Sequence, residues 1–192
     1  MKSIKIEIPD GKRVEWNKDG LLQLVNDTEQ EQKPVTERIK TFEDACNELG
    51  EDNPLVQAYR SADFNTSGNS KDVLDVIAYL KLRIIAAALN EGWEPQFTEE
   101  EYRWFPWFYL YTEEELKDKS EEWKNKHALV LWGGSASSGS SCGLAYAYSY
   151  SAFSNSGANI GARLAVKSEE LAVYFGTQFA ELWADYYVTT KR

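Results

Sequence analysis

Residues 70–92, SKDVLDVIAYLKLRIIAAALNEG, decide the reading of this chain. Val73, Ile77, Leu80, Ile84 and Ala88 recur at helical spacing, and Leu74, Ile85 and Leu89 widen the stripe. Lys71, Asp75, Lys81 and Glu91 keep the other side polar. Ser70 stands where an N-cap is wanted and Gly92 where a helix stops. So broad a stripe predicts a central helix over 71–91 that packs on more than one neighbour.

Upstream of it, Ile4, Ile6 and Ile8 alternate with polar residues, Asp10-Gly11 reads as a turn, and Val14 and Trp16 continue the alternation. Asn17–Gly20 is a second turn signal and Leu21–Val25 a third short strand. Residues 1–25 therefore predict a small antiparallel meander, followed by a polar linker over 26–40 that contains Pro34. The main domain is expected over 41–192. Thr41 with Asp44 forms a capping box for a short helix with apolar Phe42, Ala45, Cys46 and Leu49, stopped by Gly50. Asn53-Pro54 starts another, with proline where its missing N–H does no harm.

Downstream lies a block of large rings: Trp93, Phe97, Tyr102, Trp104, Phe105, Trp107, Phe108, Tyr109 and Tyr111. Pro106 argues against a continuous helix there. Glu113–Lys126 is charged and helix-prone, Ala128–Trp132 reads as a buried strand, and Gly133–Gly143 is a Ser/Gly loop. Leu144–Phe153 alternates small or polar residues with Tyr146, Tyr148 and Tyr150, and Ile160–Val166 is expected to be a strand holding Arg163. Ser168 caps a final helix over 169–187, whose Gly176 costs about 1 kcal/mol relative to alanine unless another backbone approaches closely. The order strands, helices, strands, helix predicts an α+β fold: an antiparallel sheet with helices packed on one face and a small N-terminal β meander.

Composition excludes some classes of function. The formal net charge of −10 repels phosphate backbones and anionic lipid, and no Lys/Arg cluster relieves it, which argues against nucleic acid and membrane partners. No apolar run approaches the length of a membrane span. The first eight residues alternate rather than forming a continuous apolar stretch, which is not the pattern of an export signal. The expected location is the cytoplasm, or a particle assembled there. Cys46 and Cys142 belong to no CxxC pair, so they are expected to be reduced thiols, and no metal or cofactor motif is present.

Each catalytic pattern fails on its context. Gly139–Gly143 fits G-x-S-x-G, but no helix follows it and the single histidine, His127, lies upstream. The same loop lacks the GK[ST] ending of a phosphate cradle. Cys142 with His127 has no flanking signature, and the acidic runs at 99–101, 113–115, 121–122 and 169–170 lack a calcium-loop pattern. Two binding features stand out. Trp104, Trp107, Phe108, Tyr146, Tyr148 and Tyr150 are candidates for an interaction surface. Arg163, Lys167 and Ser168 gather near a helix N-terminus and are candidates for an anion site.

Four phrases occur in order: Thr41–Cys46 (TFEDAC), Ala87–Trp93 (AALNEGW), Trp104–Phe108 (WFPWF), and Gly161–Ala172 (GARLAVKSEELA) continuing to Tyr174, Gly176, Gln178 and Phe179. Together they resemble an uncharacterised family of phages and prophage-like regions of gut Bacteroidetes. Members of that family often carry serine where Ala162 stands and an aromatic residue near Val166. The resemblance implies a phage or mobile-element product and transfers no functional residue. The expected role is a non-enzymatic structural or protein-interaction module that binds a protein partner or itself. The alternatives are a hydrolase-like enzyme with a carboxylate- or cysteine-centred site and a binder of single-stranded nucleic acid.

Overall fold

The computed structural model describes residues 7–26, 33–62, 73–96, 101–132, 142–153 and 162–188. The chain divides into two units, Met1–Pro34 and Val35–Arg192.

The first unit contains an antiparallel hairpin of β1 (Lys12–Trp16) and β2 (Leu22–Asn26), with Val14 opposite Leu24 and Trp16 opposite Leu22. The turn is held by Asn17, whose side-chain oxygen accepts from the N–H groups of Asp19 and Leu21 at 3.0 and 2.8 Å. Gly20 sits at φ +72°, which a side chain would resist. Most of the expected first strand over 4–8 lies outside the described residues, and Ile8 is in irregular backbone.

The second unit begins earlier than residue 41. The expected linker is partly helical: α1 (Val35–Arg38) and the following Ile39 put two aliphatic side chains into the core. The spacing over 33–40 is too short for a periodic signal, so only burial reveals it. Next come α2 (Phe42–Leu49), capped by Thr41 as expected, and α3 (Pro54–Ser61), capped by Asn53 with Pro54 at the expected first helical position. In α2 the capping box closes in both directions, Asp44 N–H to Thr41 Oγ1 at 3.1 Å and Thr41 N–H to Asp44 Oδ2 at 2.9 Å.

The central helix α4 runs from Leu74 to Asn90. Ser70, its expected cap, lies outside the described residues. The buried stripe also differs from the expected one. Of the expected positions Ile84, Ile85, Ala88 and Leu89 are buried, whereas Leu74 is 41% exposed and Ile77 and Leu80 are only half-buried; Ala78, Leu82 and Ala86, outside the expected stripe, are buried as well. The helix packs against α2 on one side and the C-terminal helix on the other, so two stripes are buried toward its C-terminal end.

The aromatic block forms a strand, β3 (Tyr102–Thr112), in an antiparallel sheet of order β3-β5-β4. β4 is Val130–Trp132 and β5 is Cys142–Phe153. Between β3 and β4 the charged excursion forms α5 (Glu113–Lys117) and α6 (Glu121–Lys126). β4 is an edge strand, not the buried strand expected from its composition, and Leu131 is 58% exposed. Pro106 is compatible with β3 because Trp104, two residues earlier, turns its N–H and C=O away from β5 and exchanges bonds with Val166 at 3.0 and 2.8 Å. By strand alternation Pro106 faces the same outer edge, where its missing donor costs no ladder bond.

Within the expected strand over 160–166, Ala162–Leu164 form a 3-10 turn instead, followed by this single bridge at Val166. The final helix is two helices, α7 (Glu169–Gln178) and α8 (Ala180–Tyr187). The break falls at Phe179, which leaves helical geometry at φ −114°, ψ 29°. The indole N–H of Trp183 donates to the Phe175 carbonyl at 3.2 Å, satisfying one of the last-turn acceptors of α7. α7 packs on β3 and β5, α8 lies between α4 and the sheet, and α2 and α3 close the far side of α4. Trp183, Phe175, Leu82, Ile85, Leu89 and Leu164 are wholly buried at the centre of this stack.

Candidate functional site

The ring-rich strand has two faces with different surroundings. Trp104 and Phe108 pack against the helical core, and Pro106 between them is wholly buried. The Phe108 ring lies 5.5 Å from Trp183, 5.9 Å from Tyr187 and 6.1 Å from Tyr146. Tyr146 is itself only 8% exposed. These side chains hold the sheet to α7 and α8. Trp107 lies on the opposite face by alternation and is half-buried. The side chains of Tyr148 and Tyr150 lie outside the described residues, although both positions are in β5.

Lys167 and Ser168, two of the three anion candidates, have internal partners. Lys167 Nζ is 2.7 Å from Glu91 Oε2, and Glu91 Oε1 is 2.5 Å from Arg38, which also pairs with Glu48. The Lys167 ammonium is the first cause that holds the Glu91 carboxyl below its ordinary range, and Arg38 adds to it. Ser168 Oγ accepts from Leu171 N–H at 3.3 Å as a plain N-cap. Arg163 is exposed on the 3-10 turn. Beneath this ionic chain lies Asn90, 5% exposed at the end of α4. Its amide donates to Ala165 O at 2.9 Å and accepts from Lys167 N–H at 3.1 Å. The sequence marks Glu91 only as part of the polar side of the helix and gives Asn90 no role. Asn90 ends an amphipathic run just before the Gly92 stop, where a buried polar side chain has no periodic signature.

Cys46 and His127 stand in different elements, α2 and the end of α6. Cys46 is buried and free, and burial raises its thiol pKa, which keeps it protonated and inert. The His127 ring stacks on Trp123 at 4.3 Å, with Nδ1 2.8 Å from the Trp123 carbonyl at the end of α6. The Cys142 side chain and the loop ahead of it lie outside the described residues. Among the described residues no three His, Cys, Asp or Glu side chains gather in a way that would hold a metal ion. A shallow depression of about 270 Å³ between α5, α6 and β4 is floored by Leu116, Leu129 and Leu131.

The four sequence phrases meet in the fold. Tyr174 donates its hydroxyl to Ile39 O at 2.6 Å, and Gln178 donates its amide to Lys40 O at 2.8 Å, both just before the TFEDAC helix. Gly176 lies against Pro106 and Tyr146, closer than any other residue could. Asn90 joins the second phrase to the fourth. Tyr174, Gln178 and Asn90 thus use their side chains to hold separate backbone segments together.

The hairpin of the first unit presents a different surface. Val14, Trp16, Leu22 and Leu24 are direct cross-strand partners and share one face. Trp16 is 71% exposed, Leu24 49% and Leu22 48%, and Leu21 in the adjoining turn is 64% exposed. Arg13, Glu15 and Gln23 occupy the opposite face, with Arg13 Nε bonded to Glu15 at 2.8 Å.

Fold and surface together define a mixed α+β protein: a three-stranded antiparallel sheet under a helical layer, with a separate N-terminal β-hairpin. Among the described residues no helix is long and apolar enough to cross a membrane. In comparison with known proteins, no protein-family model, no curated protein and no solved structure matches the chain.

Proposed function

We propose that this chain is a non-enzymatic interaction module of a phage or mobile element, acting in the bacterial cytoplasm or in a virion, and that it binds a protein partner through the apolar face of its N-terminal hairpin. The observation that carries this reading is the exposure of Trp16 beside Leu22 and Leu24. A two-stranded hairpin is marginal in water by itself and gains stability when its apolar face is covered. A tryptophan with flanking leucines is a common anchor of a protein interface. The ring-rich strand, the more conspicuous sequence feature, contributes Trp104 and Phe108 to the core instead. The phage context rests on the four phrases.

The test is capture from phage-infected bacterial cells with the full chain and with Trp16→Ala. Loss of a buried anchor of this kind weakens binding by roughly thirtyfold or more. The expected result is a partner retained by the unaltered chain and lost by the variant. Equal retention by both, or no retained protein, would overturn the proposal.

A further inference from the structure

The two edges of the hairpin are not alike. β1 carries Lys12, Arg13 and Glu15 among its five residues, whereas β2 (LQLVN) carries no charge, and the next charged residue in sequence is Asp27. Charged side chains on an edge strand are the usual guard against pairing with another chain. In a chain with 27% charged residues, an unguarded edge is a departure that identifies which side of the hairpin is open to pairing.

The backbone pattern shows which groups that edge offers. Asn17 N–H donates to Leu21 O at 2.8 Å, so Leu21 turns its peptide groups toward β1. By alternation Gln23 and Val25 do the same, and Leu22, Leu24 and Asn26 turn their N–H and C=O groups outward. On the other edge Lys12 N–H is already taken by Pro9 O at 3.1 Å. Among the described residues β2 pairs with β1 alone.

We infer that β2 is a self-pairing edge: it joins β2 of a second copy of this chain, antiparallel about a two-fold axis, in the sheet order β1-β2-β2-β1. The occupant is a second copy for three reasons. A two-fold contact makes the outward groups of Leu22, Leu24 and Asn26 their own complement. The resulting sheet has four strands, which passes the number at which a sheet becomes stable by itself. Residues 7–26 contain Lys12, Arg13 and Lys18 against Glu7, Asp10, Glu15 and Asp19, so the hairpin is close to neutral in a chain of net charge −10. Two copies meeting there escape the repulsion that opposes contact elsewhere. The guarded strand β1 ends up on the outside of the sheet. This edge is a separate surface from the apolar face assigned above.

Light scattering on size-exclusion eluates over a wide dilution series tests the inference. The full chain is expected to run as a dimer that dissociates on dilution. Leu24→Pro removes an outward N–H without breaking a bond to β1, which deletes two hydrogen bonds per dimer and weakens association roughly thirtyfold. Val14→Pro removes the equivalent outward N–H on the guarded edge and is expected to leave the dimer intact. Gln23→Lys restores a guard without a proline and is expected to weaken the dimer as well, so a folding defect in one variant does not decide the outcome. A chain that is monomeric throughout, or a dimer indifferent to both Leu24→Pro and Gln23→Lys, would overturn the inference. Partner capture that depends on Trp16 would survive either result.

Discussion

Replacing Gly176 with alanine reverses the usual effect of that change. In an ordinary helix interior the substitution stabilises by about 1 kcal/mol. Here an added Cβ would stand 2.6 Å from Pro106 Cβ and 2.7 Å from Tyr146 Cδ2, with Cε2 at 3.0 Å. Neither neighbour is the free end of a flexible chain: one belongs to a wholly buried proline ring and the other to a tyrosine ring that is 8% exposed. α7 must therefore lift off the sheet, and overpacking of this kind costs about 1–3 kcal/mol. With a cost near the top of that range, offset by the gain in helix propensity, the net loss is about 2 kcal/mol. For a protein of this size that lowers the melting temperature by about 4–8 °C. Urea unfolding followed by tryptophan fluorescence measures it, because Trp183 lies wholly buried against Phe175, one residue from the glycine. Gly143→Ala is the internal control. Its Cβ would lie 2.7 and 2.8 Å from the Cδ1 atoms of Leu129 and Leu116, which are ends of flexible side chains, so the loss should stay below about 1 kcal/mol. A Gly176→Ala protein as stable as the original, or more stable, would show that α7 is not seated on Pro106 and Tyr146.

Two further outcomes follow from the polar contacts. Asn90→Leu leaves the Ala165 carbonyl and the Lys167 N–H without their partner, and should cost about 2–4 kcal/mol by urea or thermal unfolding; a loss below about 1 kcal/mol would mean the clamp is dispensable. The capping carboxylates set a pH response. Hydrogen bonds from the Thr41 side chain, then from the Lys40 and Thr41 N–H groups, hold the Asp44 carboxyl below its ordinary range, and the Thr112 N–H and side chain do the same for Glu115. Both folded-state values lie below the unfolded ones. Their stabilisation is therefore complete above the ordinary carboxylate range near pH 4 and is lost as the pH falls through the lowered values. Melting temperatures recorded from neutral pH downward should drop in that window, and Asp44→Asn with Glu115→Gln should flatten the drop; an unchanged slope would contradict the assignment.

The parts of the fold that could be read from the sequence are those with local physical causes. The caps at Thr41 and Ser168 involve a side chain and an N–H three residues away, and Gly176 is closely approached, though by the Pro106 and Tyr146 side chains rather than by the expected backbone. What escaped depends on distant partners. The break at Phe179 has no glycine or proline to mark it, and the indole that satisfies Phe175 O comes from the next helix. Tyr102–Thr112 is ring-rich at nearly every position, so period-two alternation is invisible until the helices select Trp104 and Phe108. The run 160–166 has strand composition, yet among its described residues only Val166 finds a strand partner. Asn90 clamps residues 75 and 77 positions away, a separation beyond the reach of any local signal. For the proposed binding surface, the alternation in the hairpin was legible, but its exposure was not, since alternation looks the same whether or not its apolar side is covered.

The burial of Trp183 bears on the order in which this protein can fold as it is made. α4 is complete once residue 90 has been synthesised, but the helix that covers one of its sides, Ala180–Tyr187, follows ninety positions later. Until the 3-10 turn Ala162–Leu164 and α7 arrive, Leu82, Ile85, Ala86 and Leu89 have only the earlier helices to shelter them, and the side that α8 covers stays open longer still. A nascent chain stalled on the ribosome before Trp183 therefore offers an open aliphatic groove of the sort that holdase chaperones bind, and closure waits for that one indole to arrive.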